Sequence, residues 1–201
     1  MEKSASRALI TFVKNPQKGK VKTRLAKTLG EDQALRIYRA LLEHTRQICE
    51  RTKAHRYLYY SNFIDREDHW SNDHFHKALQ PEGDLGQRMT TAFQQVLEKH
   101  HKVIIIGSDC AALKPEIIER AFDQLEAYDF ILGPAFDGGY YLLGMKTLLP
   151  DIFEDMPWST EKVAAITRQR IQDNGYSLAE VDTLSDIDYE EDWLKYGWEL
   201  D

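Results

Sequence analysis

The sequence predicts an α/β fold with a mostly parallel sheet that includes one antiparallel strand. Short apolar runs of strand length alternate with longer segments in which apolar residues recur every three or four positions, as in helices that cover a sheet. Residues 103–106 are four β-branched residues between polar neighbours, which is typical of a strand buried on both faces. The turn Asp137-Gly138-Gly139 leads directly into another apolar run, and a strand reached without a crossover helix is expected to be antiparallel.

In the first half of the chain, each predicted element has its own signal. Residues 8–13 form an apolar run that stops before Asn15-Pro16, which predicts a buried first strand and then a turn. Residues 31–51 carry apolar side chains at three- and four-residue steps, which predicts a helix packed on the sheet. Residues 57–60, Tyr-Leu-Tyr-Tyr, predict the second strand. A helix over about residues 85–99 follows a turn-rich segment.

The second half continues the alternation of strands and helices. Pro115 suits the first position of a helix that extends to residue 125. Apolar runs predict strands over residues 130–134 and 140–145. A helix that starts after residue 161 ends near Gln172, before an Asn-Gly pair. The last predicted elements are a strand over residues 176–184 and a helix over residues 189–196.

Length and composition indicate one cytoplasmic domain. The 201 residues, 42% of them hydrophobic, are enough to bury a core, and no linker or repeat divides the range 1–201. A formal net charge of -7 argues against broad nucleic-acid binding. With two cysteines and no long apolar run at the N-terminus, we expect a reducing cytoplasm and no membrane span. The oligomeric state stays open, with a homodimer among the alternatives.

A basic loop follows the first predicted strand. Lys18, Lys20, Lys22 and Arg24 place four cations within seven residues, next to Gly19. In a parallel sheet, the loop after a strand is where phosphate groups bind, so this segment is a candidate phosphate site. A solvated basic turn is the alternative. A Walker A motif does not fit, because only one of its two glycines is present.

Aspartates occur where predicted strands end or turn. Asp109 closes the buried run 103–106 at the sheet edge where α/β proteins bind ligands, so it is the first candidate functional residue. Asp137 lies in the Gly-Gly turn, for which an ordinary Asp-Gly turn is the alternative. Asp186 and Asp188 alternate, so an extended segment would put both carboxylates on one side. Asp188 could equally cap the last helix.

Two further segments contain candidate binding residues. Arg88 lies in the first turns of its predicted helix, where a cation opposes the helix dipole and an anion contact is favoured. Trp158, with Ser159 and Thr160, precedes the helix that ends near residue 172. Either hydroxyl could simply cap that helix.

Four segments together resemble a known family. They are Gly19-Lys20-Val21-Lys22-Thr23-Arg24-Leu25, Gly107-Ser108-Asp109-Cys110, Asp137-Gly138-Gly139-Tyr140-Tyr141-Leu142-Leu143-Gly144 and Pro157-Trp158-Ser159-Thr160. In this order, from about Ala8 to Asp192, the chain is similar to DUF2064, a bacterial family of glycosyltransferases also called radical-SAM/selenodomain-associated transferase 1. The resemblance implies a GT-A, nucleotide-diphospho-sugar transferase-like fold with three α/β/α layers.

The resemblance also implies roles for individual residues. Nucleotide phosphates would lie against Gly19, Lys22, Arg24, Arg88 and Ser108. Asp109 and Asp188 would bind Mg²⁺ or Mn²⁺, and Asp109 and Asp137 would be catalytic. The acceptor would contact Gly138, Tyr140, Trp158, Ser159 and Thr160. The sequence has one acid where the Asp-x-Asp motif of this fold has two, so Asp186 is an alternative second metal ligand.

The implied function is transfer of a glycosyl group from a nucleotide-activated small-molecule donor to an acceptor that the sequence does not identify. Fixed cations and a metal ion would stabilise the charge that builds up on a diphosphate leaving group. Two alternatives remain open. One is a nucleotidyltransferase that acts on a phosphorylated small molecule and releases pyrophosphate, and the other is a non-catalytic nucleotide-binding partner or sensor.

Overall fold

The computed structural model describes residues 4–200, and within that range seven strands form one sheet. The strands are β1 (Ser4–Val13), β2 (His55–Tyr60), β3 (His76–Leu79), β4 (His100–Ile106), β5 (Phe130–Pro134), β6 (Tyr140–Met145) and β7 (Leu178–Glu180). Their order across the sheet is β3-β2-β1-β4-β6-β5-β7. Neighbours are parallel except at β6, which is antiparallel to both β4 and β5. The predicted mixed sheet is confirmed.

The turn before β6 explains the change of direction. The Gly138 amide donates to the Ala135 carbonyl at 3.0 Å, and the Ala135 amide donates to the Gly139 carbonyl at 2.9 Å. The chain therefore reverses within a few residues, whereas a parallel connection would need a crossover of a dozen residues or more. Both β5 and β6 have the bounds that the sequence predicts.

The strand β4 is buried on both faces. Val103, Ile104, Ile105 and Ile106 are each at most 5% exposed. Ile104 and Ile106 pack into the core on one face of the sheet, and Val103 and Ile105 pack into the core on the other. A continuous apolar run is what a strand covered from both sides requires.

Helices cover both faces of the sheet. Residues 4–200 contain α1 (Thr23–Leu29), α2 (Glu31–Arg51), α3 (Leu85–Leu97), α4 (Pro115–Gln124), α5 (Val163–Asp173) and α6 (Glu190–Tyr196). Tyr38 of α2 and Phe122 of α4 share a core cluster with Ile104. Phe93 of α3 and Ile171 of α5 share the opposite cluster with Ile105. The three α/β/α layers are therefore confirmed.

Three elements differ from the prediction. The helix α1 lies in a segment predicted as a loop, because Leu25 is its one fully buried residue and seven residues show no repeating apolar pattern. The strand β3 is partly exposed and forms by pairing with β2 at the edge of the sheet. The strand β7 is shorter than residues 176–184, although the Val181 amide still donates to the Leu132 carbonyl at 3.0 Å.

The range 1–201 predicted as one domain stays a prediction, and residues 1–3 and 201 lie outside the described part of the chain. Among the described helices, none combines the length and the apolar character that crossing a membrane requires.

Histidines lie at the amino-terminal ends of β2, β3 and β4. His100 is 6% exposed, its Nδ1 lies 2.6 Å from the Ser6 hydroxyl, and its Nε2 lies 2.8 Å from the Tyr57 hydroxyl. The rings of His55 and His100 are 4.7 Å apart between centroids. Burial, followed by the nearby positive charges of His55 and His76, lowers the pKa of His100. The folded protein therefore resists protonation of this ring.

The free energy of unfolding should fall as the pH is lowered from about 7.5 to about 5.5. An unfolded histidine gains its proton near pH 6.5, whereas folded His100 does so at a lower pH. Its contribution to stability is therefore present above the unfolded pKa and is lost as the pH falls through the folded pKa. His100→Gln cannot titrate, so its stability should change less. Urea unfolding of both proteins at the two pH values tests this, and equal changes would contradict it.

Candidate functional site

A cavity of about 490 Å³ lies at the carboxyl ends of β1 and β4. Parallel strands bring the loops that follow them to this edge, and the turn before antiparallel β6 reaches the same edge. The predicted site residues that line the cavity are Lys22, Arg24, Asp109, Asp137, Tyr140, Trp158, Ser159, Thr160 and Asp188. Separate segments of the sequence thus meet in one place.

Lys22 lies between two carboxylates in this cavity. Its Nζ is 2.7 Å from Asp109 Oδ1 and 3.7 Å from Asp188 Oδ1, and its side chain is 5% exposed. Asp109 follows the end of β4, and Lys22 is the residue before α1. A buried ammonium group is stable only beside carboxylates that offset its lost hydration. These three side chains, which we call the charged triad, therefore form one electrostatic unit.

Arg24 lies next to the charged triad, in the first turn of α1. Its Nη1 donates to Asp188 Oδ2 at 2.8 Å, and its guanidinium carbon is 5.8 Å from the centre of the Tyr189 ring. The Arg24 side chain is half-exposed, and exposed ion pairs contribute little to stability. Arg24 can therefore turn toward an incoming anion at small cost.

Residues 186–188 are attached to the end of β4. The Ile187 amide donates to the Asp109 carbonyl at 2.9 Å, and the Ile187 side chain is buried. Because alternate residues of an extended segment share a side, Asp186 and Asp188 both line the cavity. Loss of water around Asp186, and then the negative charge of Asp109, raises the pKa of Asp186 to about 7. The sequence indicated Asp186 only as an alternative metal ligand.

The two helix-capping alternatives are wrong. The residue before α6 is Tyr189, not Asp188, and the Asp192 carboxylate within that helix accepts a hydrogen bond from the Tyr189 amide at 2.8 Å. The residue before α5 is Lys162, and no side chain caps that helix. The Thr160 hydroxyl donates instead to the Pro157 carbonyl at 2.7 Å. Asp188 and both predicted hydroxyls line the cavity.

The turn that contains Asp137 is fixed on two sides. Asp137 Oδ1 accepts a hydrogen bond from the Gly139 amide at 2.8 Å, and the Gly138 carbonyl accepts one from the Ala164 amide at 2.9 Å. Gly138 has φ of 88°, and a side chain there would come within 2.1 Å of the Glu161 carbonyl oxygen. The turn therefore packs backbone against backbone on the loop before α5.

One wall of the cavity is apolar. The rings of Tyr140 and Trp158 are 6.4 Å apart and nearly perpendicular. Leu85 and Met89 of α3 line the same cavity. Charged side chains and an aromatic and aliphatic wall therefore share one space, which suits a ligand with one charged and one less polar part.

The family model of DUF2064, described as uncharacterized protein conserved in bacteria, matches residues 44–160. The chain belongs to the DUF2064 family. A crystal structure from Desulfovibrio desulfuricans, provisionally assigned as a nucleotide-diphospho-sugar transferase, is similar with a TM-score of 0.86. It shares 30% sequence identity, and the match covers 92% of this chain and 84% of that one. A comparison with curated proteins found no match.

Two more distant structures share the fold of this DUF2064 protein. The inositol-1-phosphate CTP transferase from T. maritima is 14% identical with a TM-score of 0.61, over 94% of this chain and 92% of that one. The Rv0371c protein of Mycobacterium tuberculosis in complex with manganese is 11% identical with a TM-score of 0.58. The match covers 95% of this chain and 97% of that one. At these identities the likeness concerns the fold alone. The predicted GT-A, nucleotide-diphospho-sugar transferase-like fold is confirmed.

Some predicted site residues of the DUF2064 protein lie outside the cavity lining. They are Gly19, Arg88, Ser108 and Gly138. Arg88 Nε donates to the Gly83 carbonyl at 2.8 Å, so Arg88 stabilises the turn before α3. Ser108 is buried, with its Oγ 3.4 Å from the Tyr38 hydroxyl. Neither Arg88 nor Ser108 therefore lines the cavity, although Ser108 directly precedes Asp109 of the charged triad.

Sequence reasoning missed Lys14 and Tyr38 as lining residues. The Tyr38 hydroxyl donates to the Lys14 carbonyl at 3.0 Å and accepts from the Lys14 amide at 2.9 Å, which connects α2 to the residue after β1. Burial raises the pKa of Tyr38, so its hydroxyl stays neutral. Helical periodicity marked Tyr38 only as a core residue, and the position of Lys14 depends on where β1 ends.

Both thiols of the DUF2064 protein are buried packing residues. Burial raises the pKa of Cys49 and of Cys110 to about 12. A thiol that keeps its proton is a poor nucleophile and a poor metal ligand. Cys110 follows Asp109 directly, but it does not line the cavity.

Among residues 4–200, no three His, Cys, Asp or Glu side chains are close enough to enclose a metal ion. Asp109 and Asp188 nevertheless approach one positive point, the Lys22 ammonium group. Carboxylate oxygens suit Mg²⁺ and Mn²⁺, and Mg²⁺ commonly takes one or two carboxylates and completes its shell with water and substrate phosphates. The residues present therefore fit a divalent ion shared with a phosphate ligand.

Proposed function

We propose that this DUF2064 protein is a metal-dependent glycosyltransferase that takes a sugar from a nucleotide-diphospho-sugar. The observation that carries the proposal is the charged triad with Arg24 beside it, in which cations and carboxylates meet at one wall of the cavity. Family membership and the 30% identical structure, provisionally assigned to nucleotide-diphospho-sugar transfer, support the same class of reaction.

Lys22 and Arg24 act on the diphosphate leaving group. As the bond between the sugar and the diphosphate breaks, negative charge builds up on the departing phosphate oxygen. Fixed cations at that oxygen interact more strongly with the transition state than with the bound donor, so they lower the barrier. The burial of Lys22 strengthens this interaction, because less water screens it.

Asp109 and Asp188 are the residues that would hold Mg²⁺ or Mn²⁺. The bound ion would supply Lewis-acid stabilisation of the diphosphate. The approach of both carboxylates to one cation supports this assignment. The manganese complex of the distant Rv0371c protein is an example of this fold holding such an ion.

Asp137 takes the proton from the attacking hydroxyl of the acceptor. Its Oδ1 is held by the Gly139 amide, which orients the carboxylate at the cavity. Tyr140, Trp158, Ser159 and Thr160 position the acceptor, and Gly138 fixes the turn that joins them. Support for these roles comes from their place in the same cavity as the charged triad.

Nucleotidyl transfer is the second candidate function. The T. maritima protein of the same fold is named a CTP transferase, which favours it. In that reaction a phosphate oxygen of the acceptor attacks the α-phosphate of an NTP, and the bond to the departing pyrophosphate breaks. The same cations would stabilise that leaving group. A non-catalytic nucleotide-binding partner is the third candidate, and it is favoured by the single acid, Asp109, where the Asp-x-Asp motif of this fold has two.

We also place the protein in the cytoplasm. Cys49 and Cys110 are free thiols, as is usual in a reducing compartment.

Thermal unfolding with a panel of ligands separates these functions. We expect sugar nucleotides with Mn²⁺ to raise the midpoint by about 3–5 °C, and NTPs with Mn²⁺ or sugar nucleotides without Mn²⁺ to raise it less, because the ligand that matches the whole cavity binds the folded state most tightly. Product analysis with the same donors should then find a nucleoside diphosphate. Pyrophosphate released from an NTP would favour nucleotidyl transfer instead, and binding without product would favour the non-catalytic partner.

A further inference from the structure

We infer that Lys22 occupies the cation position of the ligand-free site, so that a divalent ion binds between Asp109 and Asp188 only after a phosphate group draws Lys22 away. The inference rests on the proposed function, since it supposes that a phosphate and a metal ion meet at the charged triad. It goes further, because it makes the phosphate-bearing ligand the condition for metal binding.

Cations already engage three of the four carboxylate oxygens at the charged triad. Lys22 Nζ lies 2.7 Å from Asp109 Oδ1 and 3.7 Å from Asp188 Oδ1. Arg24 Nη1 lies 2.8 Å from Asp188 Oδ2. A divalent ion that bound the same pair of carboxylates would compete with both side chains for these oxygens.

The ammonium group and a divalent ion repel each other at this distance. The Lys22 side chain is 5% exposed, whereas the Asp109 and Asp188 side chains are 42% and 38% exposed. Little water can therefore screen the repulsion on the protein side of the carboxylates. The carboxylates of Asp109 and Asp188 therefore cannot bind a divalent ion and the Lys22 ammonium group tightly at the same time.

A di- or triphosphate removes the conflict. Its oxygens offer Lys22 and Arg24 new charge-assisted hydrogen bonds, which release the carboxylate oxygens for the ion. Lys22 also has a backbone conformation that few non-glycine residues adopt, with φ of 47° and ψ of 44°. Such conformations recur at sites that change between two arrangements.

The consequence is a positive coupling between metal and phosphate binding. Because such linkage is reciprocal, each ligand should raise the affinity of the other by the same factor, which we expect to be about tenfold or more. In the absence of a phosphate ligand, Lys22 should keep the metal affinity low.

The test measures the affinity of the full chain for Mn²⁺ from the paramagnetic resonance signal of the free ion. Titrations are made with and without inorganic pyrophosphate, and the Mn²⁺ that pyrophosphate binds in solution is subtracted. For the wild-type protein, pyrophosphate should raise the Mn²⁺ affinity by about tenfold or more. Lys22→Met keeps the length of the side chain without its charge. It should bind Mn²⁺ alone about tenfold more tightly than the wild type, and pyrophosphate should raise its Mn²⁺ affinity by a smaller factor than it does for the wild type.

Lys18→Met is the matched control. Lys18 belongs to the same loop, but its Nζ lies 2.7 Å from Asp32, and neither residue lines the cavity. This variant should bind Mn²⁺ and respond to pyrophosphate as the wild type does. Lys22→Gln repeats the test with a polar side chain, and if neither Lys22 variant folds, a wild-type Mn²⁺ affinity that pyrophosphate leaves unchanged still overturns the inference.

Two results would overturn the inference. One is an Mn²⁺ affinity of Lys22→Met no higher than that of the wild type, and the other is a wild-type affinity that pyrophosphate does not change. These titrations use no sugar donor and no turnover. If these titrations fail, the proposed glycosyl transfer can still be tested with the panel of donors. If that panel yields no product, the coupling between Mn²⁺ and pyrophosphate binding can still be tested here.

Discussion

Asp109→Asn is expected to abolish metal-dependent nucleotide binding. Asparagine keeps the shape of the side chain but removes the negative charge that lies 2.7 Å from the Lys22 ammonium group. A neutral amide is a weaker ligand for Mg²⁺ or Mn²⁺ than a carboxylate, so the stabilisation of the diphosphate should be lost as well. Any transfer activity should fall by about 100-fold or more. Calorimetric titration with Mn²⁺ and a nucleotide that binds the wild type measures the effect.

Asp182→Asn is a suitable control for this experiment. Asp182 is an exposed aspartate whose Oδ2 lies 2.6 Å from Arg120 Nη2, and it does not line the cavity. The variant loses a surface ion pair, which should change stability by about 1 kcal/mol or less and leave nucleotide binding unchanged. Metal-dependent binding that survives in Asp109→Asn would show that the metal is held elsewhere.

Gly138→Ala is expected to destabilise the protein by about 3 kcal/mol or more. The added Cβ would lie 2.1 Å from the Glu161 carbonyl oxygen and 2.4 Å from Glu161 Cα. Both are backbone atoms, so a rotamer change cannot relieve the contact. The loop before α5, which carries Trp158, would have to move, and acceptor binding should weaken with it. Urea unfolding gives the loss of stability.

Gly175→Ala measures how much stability is lost through the positive φ alone, without a steric contact of the added Cβ. Gly175 has φ of 77°, close to the 88° of Gly138, but a Cβ there meets nothing within 4 Å. Its cost should be about 1–2 kcal/mol, which is the usual penalty of an alanine in the left-handed region. The difference between the two variants isolates the packing of the turn on the loop. If both variants lose the same free energy of unfolding, the loop before α5 moves away from the added Cβ at no cost in stability.

The sequence predicted the elements that carry a strong periodic signal. Residues 31–51 form a helix with the predicted bounds, and β5 and β6 match residue by residue, because amphipathic spacing and buried apolar runs reflect local chemistry. The antiparallel direction of β6 followed from the shortness of the connection before it.

Tertiary contacts decided the elements and roles that the sequence did not predict. The strand β3 has no apolar run of its own and depends on pairing with β2. The hydrogen bond from Arg88 Nε to the Gly83 carbonyl of the preceding turn was not predicted, and the anion contact of Arg88 stays a prediction. The positions of Asp186 and Tyr38 in the cavity lining depend on how residues 186–188 and α2 pack around the end of β4, which spacing along the chain does not encode.

The sequence predicted the residues of the charged triad as site residues, but it did not predict how their side chains are arranged. A basic loop and an aspartate at a strand end indicated a phosphate and metal site at one edge of the sheet. That Lys22 would be buried between Asp109 and Asp188 depends on the backbone conformation before α1 and on the contact of Ile187 with Asp109.

The most direct test of the account is to locate Mn²⁺ by anomalous scattering in crystals grown with Mn²⁺ and a nucleoside diphosphate. The account predicts one anomalous peak bonded to Asp109 and Asp188, with the diphosphate beside it and the Lys22 ammonium group moved from the carboxylates to a phosphate oxygen. A peak elsewhere, or a diphosphate bound away from Lys22 and Arg24, would contradict it.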